Sequence, residues 1–254
     1  AIWQCRYCWL SLVRMDLRSR YRGSVLGLGW SLLQPLAMTA IFTLVFCRVF
    51  NQNPGWYAPY VLTGLACWSF ILYTVLQGCN CFFQGEAYIR QFPAPMAVYP
   101  LRTMLAGAFH FVVALGVATA LAAVNLGNFR LGALLSLVPA LLLLLVFGWS
   151  LAVLAGLATV WFRDTRHLSE VAFQVFFYVT PIIYEPRLLE GGHLQWVLEI
   201  NPFLPFLTLL REPILSGNLP ALLVFGKALV VTAGALSLAM FCLARLERKL
   251  IFHL

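Results

Sequence analysis

Residues 133–161 read ALLSLVPALLLLLVFGWSLAVLAGLATVW, with no charged side chain in the run. A hydrocarbon layer about 30 Å thick takes about 20 apolar residues per helical crossing, so this stretch is expected to span a membrane as a helix. Five further apolar runs flank it, at 30–50, 57–83, 101–124, 168–184 and 219–244. The composition agrees: of 254 residues 62% are hydrophobic and only 10% charged, where a soluble domain carries about 25% charged residues. The mean hydropathy is +0.87. The expected fold is therefore an all-α membrane protein with six transmembrane helices, a single transmembrane domain over 1–254 with no room for a large soluble domain. Crossings one to five fill 30–184, crossing six fills 219–244, and 245–254 form a tail.

The net charge of +8, from 17 Lys and Arg against 9 Asp and Glu, is read first as a topology signal, because basic residues gather on the cytoplasmic side. With the N-terminus inside, Arg6, Arg14, Arg18, Arg20, Arg22, Arg90, Arg102, Arg163, Arg166, Arg245, Arg248 and Lys249 are cytoplasmic. Only Arg48, Arg130, Arg187, Arg211 and Lys227 lie outside. Both termini are expected in the cytoplasm, and no nucleic-acid surface is expected. Residues 1–22 are too charged to cross. Arg14, Arg18 and Arg22 share one helical stripe and Trp9, Leu12, Val13 and Leu17 the opposite one, the pattern of an amphipathic helix in the membrane interface. The basic start is not followed by a short apolar stretch with a small-residue cleavage site, so no cleavable leader is expected. Residues 185–218 are long for a loop, yet their apolar pieces, 188–200 and 203–215, are too short to cross and are bounded by Pro and Gly. They are expected to be two short re-entrant helices, which need surrounding protein or a water-filled cavity at membrane depth.

Little here suits catalysis. The seven cysteines are scattered and lack the second Cys pair or His partners of a zinc site, so no metal site and no catalytic residue are expected. His110 is the one histidine well inside an apolar run, and a lone buried histidine is ordinarily a packing residue. No phosphate-binding G-x-x-x-x-G-K-[ST] loop, zinc H-E-x-x-H or G-x-S-x-G elbow occurs; if ATP is used, another chain hydrolyses it. Asp and Glu sit at segment ends or in connections, with Glu170 near the cytoplasmic entrance, which weighs against an ion-coupled carrier. Aromatics make up 15% of the chain. Phe173, Phe177, Thr180 and Tyr184 share a helical face in the fifth segment, and Trp68, Phe70 and Tyr73 cluster in the second. Such rings either pack or stack against sugars. Gly148, Ala152 and Gly156 recur every four residues, a spacing that admits close helix approach. The connection at 86–100 holds a short proline-stopped helix that could dock a soluble partner.

The run Arg20-Tyr21-Arg22-Gly23-Ser24-Val25-Leu26-Gly27, with Trp30 and Gln34-Pro35 after it, resembles the opening of type-2 ABC exporter permeases of the O-antigen, teichoic-acid and polysaccharide export family. The resemblance continues in order through Phe92-Pro93, Phe162-Arg163-Asp164, Thr180-Pro181-Ile182-Ile183-Tyr184, Asn201-Pro202 and Arg211-Glu212-Pro213-Ile214-Leu215-Ser216-Gly217. It implies the channel-forming subunit of an exporter of lipid-linked polysaccharide in the bacterial inner membrane. The subunit would work as a homodimer with two separate ATPase subunits that carry the ATP and Mg, this chain holding no cofactor and no enzyme site of its own.

The resemblance further implies that the short helix after the second crossing, with Glu86, Tyr88, Arg90 and Phe92, meets the ATPase. The two short helices, with Pro202, Pro205, Arg211 and Glu212, would form an outer gate. A passage lined by Trp68, Tyr73, Phe173, Phe177 and Tyr184 would carry the glycan, and Arg18, Arg20 and Arg22 would attract its pyrophosphate at the entrance. A permease of the same fold for a drug, a small lipid or a lipo-oligosaccharide is the alternative. A membrane-embedded enzyme is the distant one, since it needs a convergent acid, base or metal site.

Overall fold

In the computed structural model, residues 29–49, 52–91, 95–127, 130–188 and 195–250 are described, together with 9, 11 and 13–15, which are helical. The rest of the expected interface helix, including Arg18, Arg20 and Arg22, lies outside the described residues, as does the tail beyond 250. The described elements are α1 (Gly29–Val49), α2 (Pro54–Gly78), α3 (Cys81–Gln91), α4 (Val98–Leu126), α5 (Leu131–Leu135), α6 (Leu137–Trp161) and α7 (Thr165–Val179). After a 3-10 turn at Pro186–Leu188 come α8 (Gln195–Ile200), α9 (Leu204–Arg211), a π turn at Glu212–Ser216 and α10 (Leu222–Leu250). No strand occurs among the described residues.

Among the described residues five helices are long and apolar enough to cross a membrane: Leu32–Val49, Pro54–Gly78, Val98–Leu126, Leu131–Trp161 and Leu222–Glu247. They correspond to five of the six expected crossings. The fourth is interrupted at Ser136, between α5 and α6, and Pro139 falls in the first turn of α6, where its missing N–H costs no helical hydrogen bond. The expected fifth crossing, 168–184, differs. Its helix α7 has 15 residues, about 22 Å at 1.5 Å per residue, and stops at Val179. Pro181 is the cause: it has no N–H to bond the carbonyl four residues back, and it forces the preceding Thr180 to extended backbone, with φ −85° and ψ 134°.

The core is built around α2. Of its span 78% is buried, against 17–39% for the other four, because α1, α4, α6, α7 and α9 all pack on it. The small-residue stripe of α6 is one of these contacts. A Cβ on Gly148 would meet the Phe70 ring at 2.9 Å, and one on Gly156 would lie 2.9 Å from the Gly78 carbonyl and 2.8 Å from Cys81 Sγ. From the other side, a Cβ on Gly78 would reach the Ala152 Cα at 2.8 Å. The backbones of α2 and α6 thus nearly touch. Helix α10 lies along α6. The outward faces are apolar: Leu33, Ile41, Leu44 and Val45 on α1 and Leu222, Leu229, Val230 and Phe241 on α10 are all exposed, as suits lipid or another membrane subunit.

Candidate functional site

The irregular segment after α7 exposes a row of carbonyl groups, and at membrane depth each unpaired one costs several kcal/mol. Here they are collected by side chains from two other elements. Arg211, at the end of α9 and only 7% exposed, donates from Nη1 to the Pro181 carbonyl at 2.7 Å and from Nη2 to the Ile182 carbonyl at 2.8 Å. Tyr57 Oη donates to the Ile183 carbonyl at 2.7 Å, and Tyr60 Oη to the Tyr184 carbonyl at 2.6 Å. The Arg211 guanidinium carbon sits 3.6 Å from the centre of the Tyr60 ring, a cation over a π face. Gly64 makes room for this clasp, since a Cβ there would collide with Arg211 Nη2. Asn201 ties the ends together: its Nδ2 donates to Thr180 Oγ1 at 2.9 Å, and its Oδ1 accepts from the Phe203 N–H at 2.9 Å.

Pro202 and Pro205 flank the start of α9, and Pro213 lies in the π turn, which Gly217 ends with a φ of 62°. Glu212 follows Arg211 directly. Burial pushes its carboxyl above the usual carboxylate range, while a hydrogen bond from the Ala221 N–H pulls the other way. The four residues expected at an outer gate therefore lie on one connection, and Arg211 holds it to the unwound segment.

Of the five rings expected along a passage, three meet. Trp68 lies 5.7 Å from Phe173 and 5.9 Å from Phe177, centre to centre. Phe203, 5% exposed, is the hub: it touches Trp68 at 5.4 Å, Phe173 at 5.8 Å, Phe176 at 5.6 Å and Phe147 at 6.2 Å. Phe206 stacks on Phe147 at 4.8 Å. Tyr184 stands apart, its hydroxyl donating to the Tyr178 and Val179 carbonyls at 3.1 and 2.9 Å, where it closes the end of α7. Tyr73 faces elsewhere, into a cavity between α1, α2 and α4 that His110 also lines. Five residues along a helix turn it about 140° from Trp68.

At the opposite end of α2 lies α3. A Cβ on Gly85 would collide with the Tyr99 ring, so α3 rests on the start of α4. The 95–97 turn is held by Glu247, whose Oε1 accepts from the Met96 N–H at 3.3 Å, and by Trp149, whose Nε1 donates to the Ala97 carbonyl at 3.3 Å. Glu86 lies on α3; Tyr88 and Arg90 are within the helix, their side chains outside the described residues along with Phe92. In the first turns of α7, Glu170 lies 3.3 Å from Arg166 Nε and 3.5 Å from His167 Nδ1. Among the described residues no three His, Cys, Asp or Glu gather as a metal site.

Sequence reasoning singled out Arg211, Trp68, Phe173 and Phe177 but missed Tyr57, Tyr60, Gly64 and Phe203. A lone arginine in an apolar stretch announces a buried partner; which partner depends on chain segments about 30 and 150 positions away.

This arrangement, a bundle of apolar helices with an unwound segment clasped by side chains, is that of a multi-pass membrane protein. The sequence profile of the ABC-2 type transporter family matches residues 7–215, and the chain belongs to that family. Membership makes it the membrane subunit of a transporter, in a dimeric membrane assembly that works with an ATPase subunit. Two relatives named O-antigen export system permease protein RfbA, both from Klebsiella pneumoniae, are 24% identical over 208 and 212 residues, covering 82% of this chain and 80% of theirs. A third of the same name, from Myxococcus xanthus, is 24% identical over 220 residues, 86% of this chain and 84% of its own.

Proposed function

We propose that the chain is the channel-forming subunit of an exporter that moves lipid-linked polysaccharide of the O-antigen type across the bacterial inner membrane. The observation that carries this reading is the similarity to O-antigen export permeases over 82–86% of the chain. Two copies form the passage, and two ATPase subunits, which bring ATP and Mg, drive it from the cytoplasm. Both termini lie on that side. The expected fifth crossing is α7 together with the irregular segment 180–184: about 22 Å of helix leaves the rest of the core of about 30 Å to that segment, whose carbonyls are paired by the clasp.

In this reading α3, with Glu86, Tyr88, Arg90 and Phe92, receives the motion of the ATPase. The clasp at Arg211 sits near the other end of α2, and α8 and α9 form the outer gate as re-entrant helices. The distance from Tyr60 to Gly78 along α2, about 27 Å, separates the two functions by most of a bilayer. Arg18, Arg20 and Arg22 attract the pyrophosphate of the substrate at the interface. The half-buried rings of Phe173 and Phe177 offer apolar faces to sugar, backed by the buried Trp68, and the exposed faces of α1 and α7 are available to the second copy.

The test is reconstitution. The chain co-purified with its ATPase, in proteoliposomes, should move a defined lipid-linked glycan only when ATP is supplied. An ATPase-associated complex that moves drugs or small lipids and leaves the glycan untouched would establish the alternative cargo instead. Charge reversal of Arg20 and Arg22 together should slow export while the complex still assembles, and unchanged export would remove those residues from the entrance.

A further inference from the structure

A cavity of about 420 Å³ opens between α1, α2 and α4, in the half of α2 nearer α3. It falls within the range of about 300–1,000 Å³ typical of small-molecule sites. Its polar lining is Gln34 from α1, Ser69, Tyr73 and Gln77 from α2 and His110 from α4; its aromatic lining is Phe70 and Phe111, whose rings stack at 5.2 Å.

Three features set it apart from a packing defect. First, Ser69 is the single exposed position in the otherwise buried run from 59 to 71 on the most enclosed helix, and it is exposed because it looks into the cavity. Second, the side chains of Gln34, Ser69 and Gln77 form no hydrogen bond to a described residue, so amide and hydroxyl groups converge on the space with capacity to spare. Third, Gly107 leaves room for Tyr73 to lie against α4, since a Cβ there would stand 2.6 Å from the Tyr73 ring.

The lining chemistry selects an occupant. Among the described residues no Lys, Arg, Asp or Glu lines the cavity, so no fixed charge there answers a phosphate, a carboxylate or an amine. An acyl chain would leave the amides and hydroxyl unpaired in an apolar setting, at a cost in free energy. An uncharged sugar ring satisfies both halves, since amides bond its hydroxyls while the partly exposed ring of Tyr73 covers its apolar C–H face. We propose that this cavity, within one subunit, is a binding site for a neutral pyranose unit. The identification of that pyranose with part of the cargo rests on the polysaccharide-export reading.

The experiment uses the purified full-length chain in lipid nanodiscs and three photoreactive probes with one alkyl tail. Their heads are glucose, glucuronate and a bare hydroxyl, and the cross-linked peptides are mapped by mass spectrometry. The glucoside should label residues 66–77 and 107–114, and the other two should label them at least about fivefold less. Gln77→Leu on α2 and Gln34→Leu on α1, each retained as a monodisperse species, should each cut glucoside labelling about fivefold, the value of one lost hydrogen bond. Equal labelling by the bare alcohol overturns the site in favour of an acyl-chain pocket, equal labelling by the glucuronide overturns its neutrality, and undiminished labelling of both variants overturns the assignment of the amides. Failure of the export reading shows elsewhere, as absence of ATP-driven glycan movement by a chain whose sugar-dependent labelling is intact.

Discussion

Arg211 holds the unwound segment to α2 and α9, since one guanidinium serves two carbonyls 30 and 29 positions away and rests on Tyr60. Replacing it with Met should leave those carbonyls unpaired at about 1–3 kcal/mol each, enough to abolish the monodisperse species in detergent size-exclusion chromatography. Arg211→Lys keeps the charge but loses the two-pronged fork, so a fall in thermal stability worth about 1–2 kcal/mol is expected. Gly64→Ala drives a methyl group against the same guanidinium and should cost about 1–3 kcal/mol as overpacking. The two sites are coupled: in the Arg211→Lys background, with Nη2 gone, Gly64→Ala should cost clearly less than in the parent chain. Strict additivity in that double-mutant cycle would mean the two do not touch. The sequence placed Arg211 at an expected outer gate but held no sign of Gly64, because a glycine required by a neighbour from another helix leaves no periodic trace.

Among the elements, the apolar helices were legible because hydropathy reports burial in lipid directly, and five stand within a few residues of where the sequence set them. The shortness of α7 was not. Residues 180–184 are Thr-Pro-Ile-Ile-Tyr, apolar enough to extend a hydropathy run, and only the local effect of Pro181 on backbone geometry separates them from helix. The aromatic face of 173 and 177 was equally visible from spacing, whereas its hub Phe203 lies on a different connection, and Tyr73 looked like part of the same group because one-dimensional proximity hides a turn of about 140°. Phe203→Ala should be the most disruptive truncation in the cluster, about 3–5 kcal/mol, with a smaller loss for the partly exposed Phe177→Ala. If Phe177→Ala instead leaves stability alone and slows glycan movement, that ring belongs to the passage more than to the packing. Helix contact makes a parallel demand at Gly78, where any side chain meets the Ala152 backbone: Gly78→Leu should eliminate folded protein, while Gly116→Leu, with nothing within 4 Å of its Cβ, should be tolerated.

At the scale of the whole molecule, function requires that the two ends of α2 face opposite compartments. The bundle itself is indifferent to which end is which; its apolar belt fits a membrane either way up. The asymmetry comes from charge: twelve basic residues on one side of the expected topology and five on the other orient the chain as it inserts. On the proposed topology α3 faces the cytoplasm and the Arg211 clasp lies near the outer side, an orientation that can be checked without any substrate. Gln84 on α3 and Asn218 after the π turn are both exposed. In right-side-out spheroplasts a membrane-impermeant maleimide should label Asn218→Cys at once and Gln84→Cys only after permeabilisation, each measured against the parent chain, whose Cys47, Cys67, Cys79 and Cys81 are buried. Adding the partner ATPase to inverted vesicles should then protect Gln84→Cys and leave Asn218→Cys unchanged. The reverse labelling order would put α3 outside the cell, beyond reach of any cytoplasmic ATPase. The contact between α3 and the motor would fall with it, even though every helix packed as described.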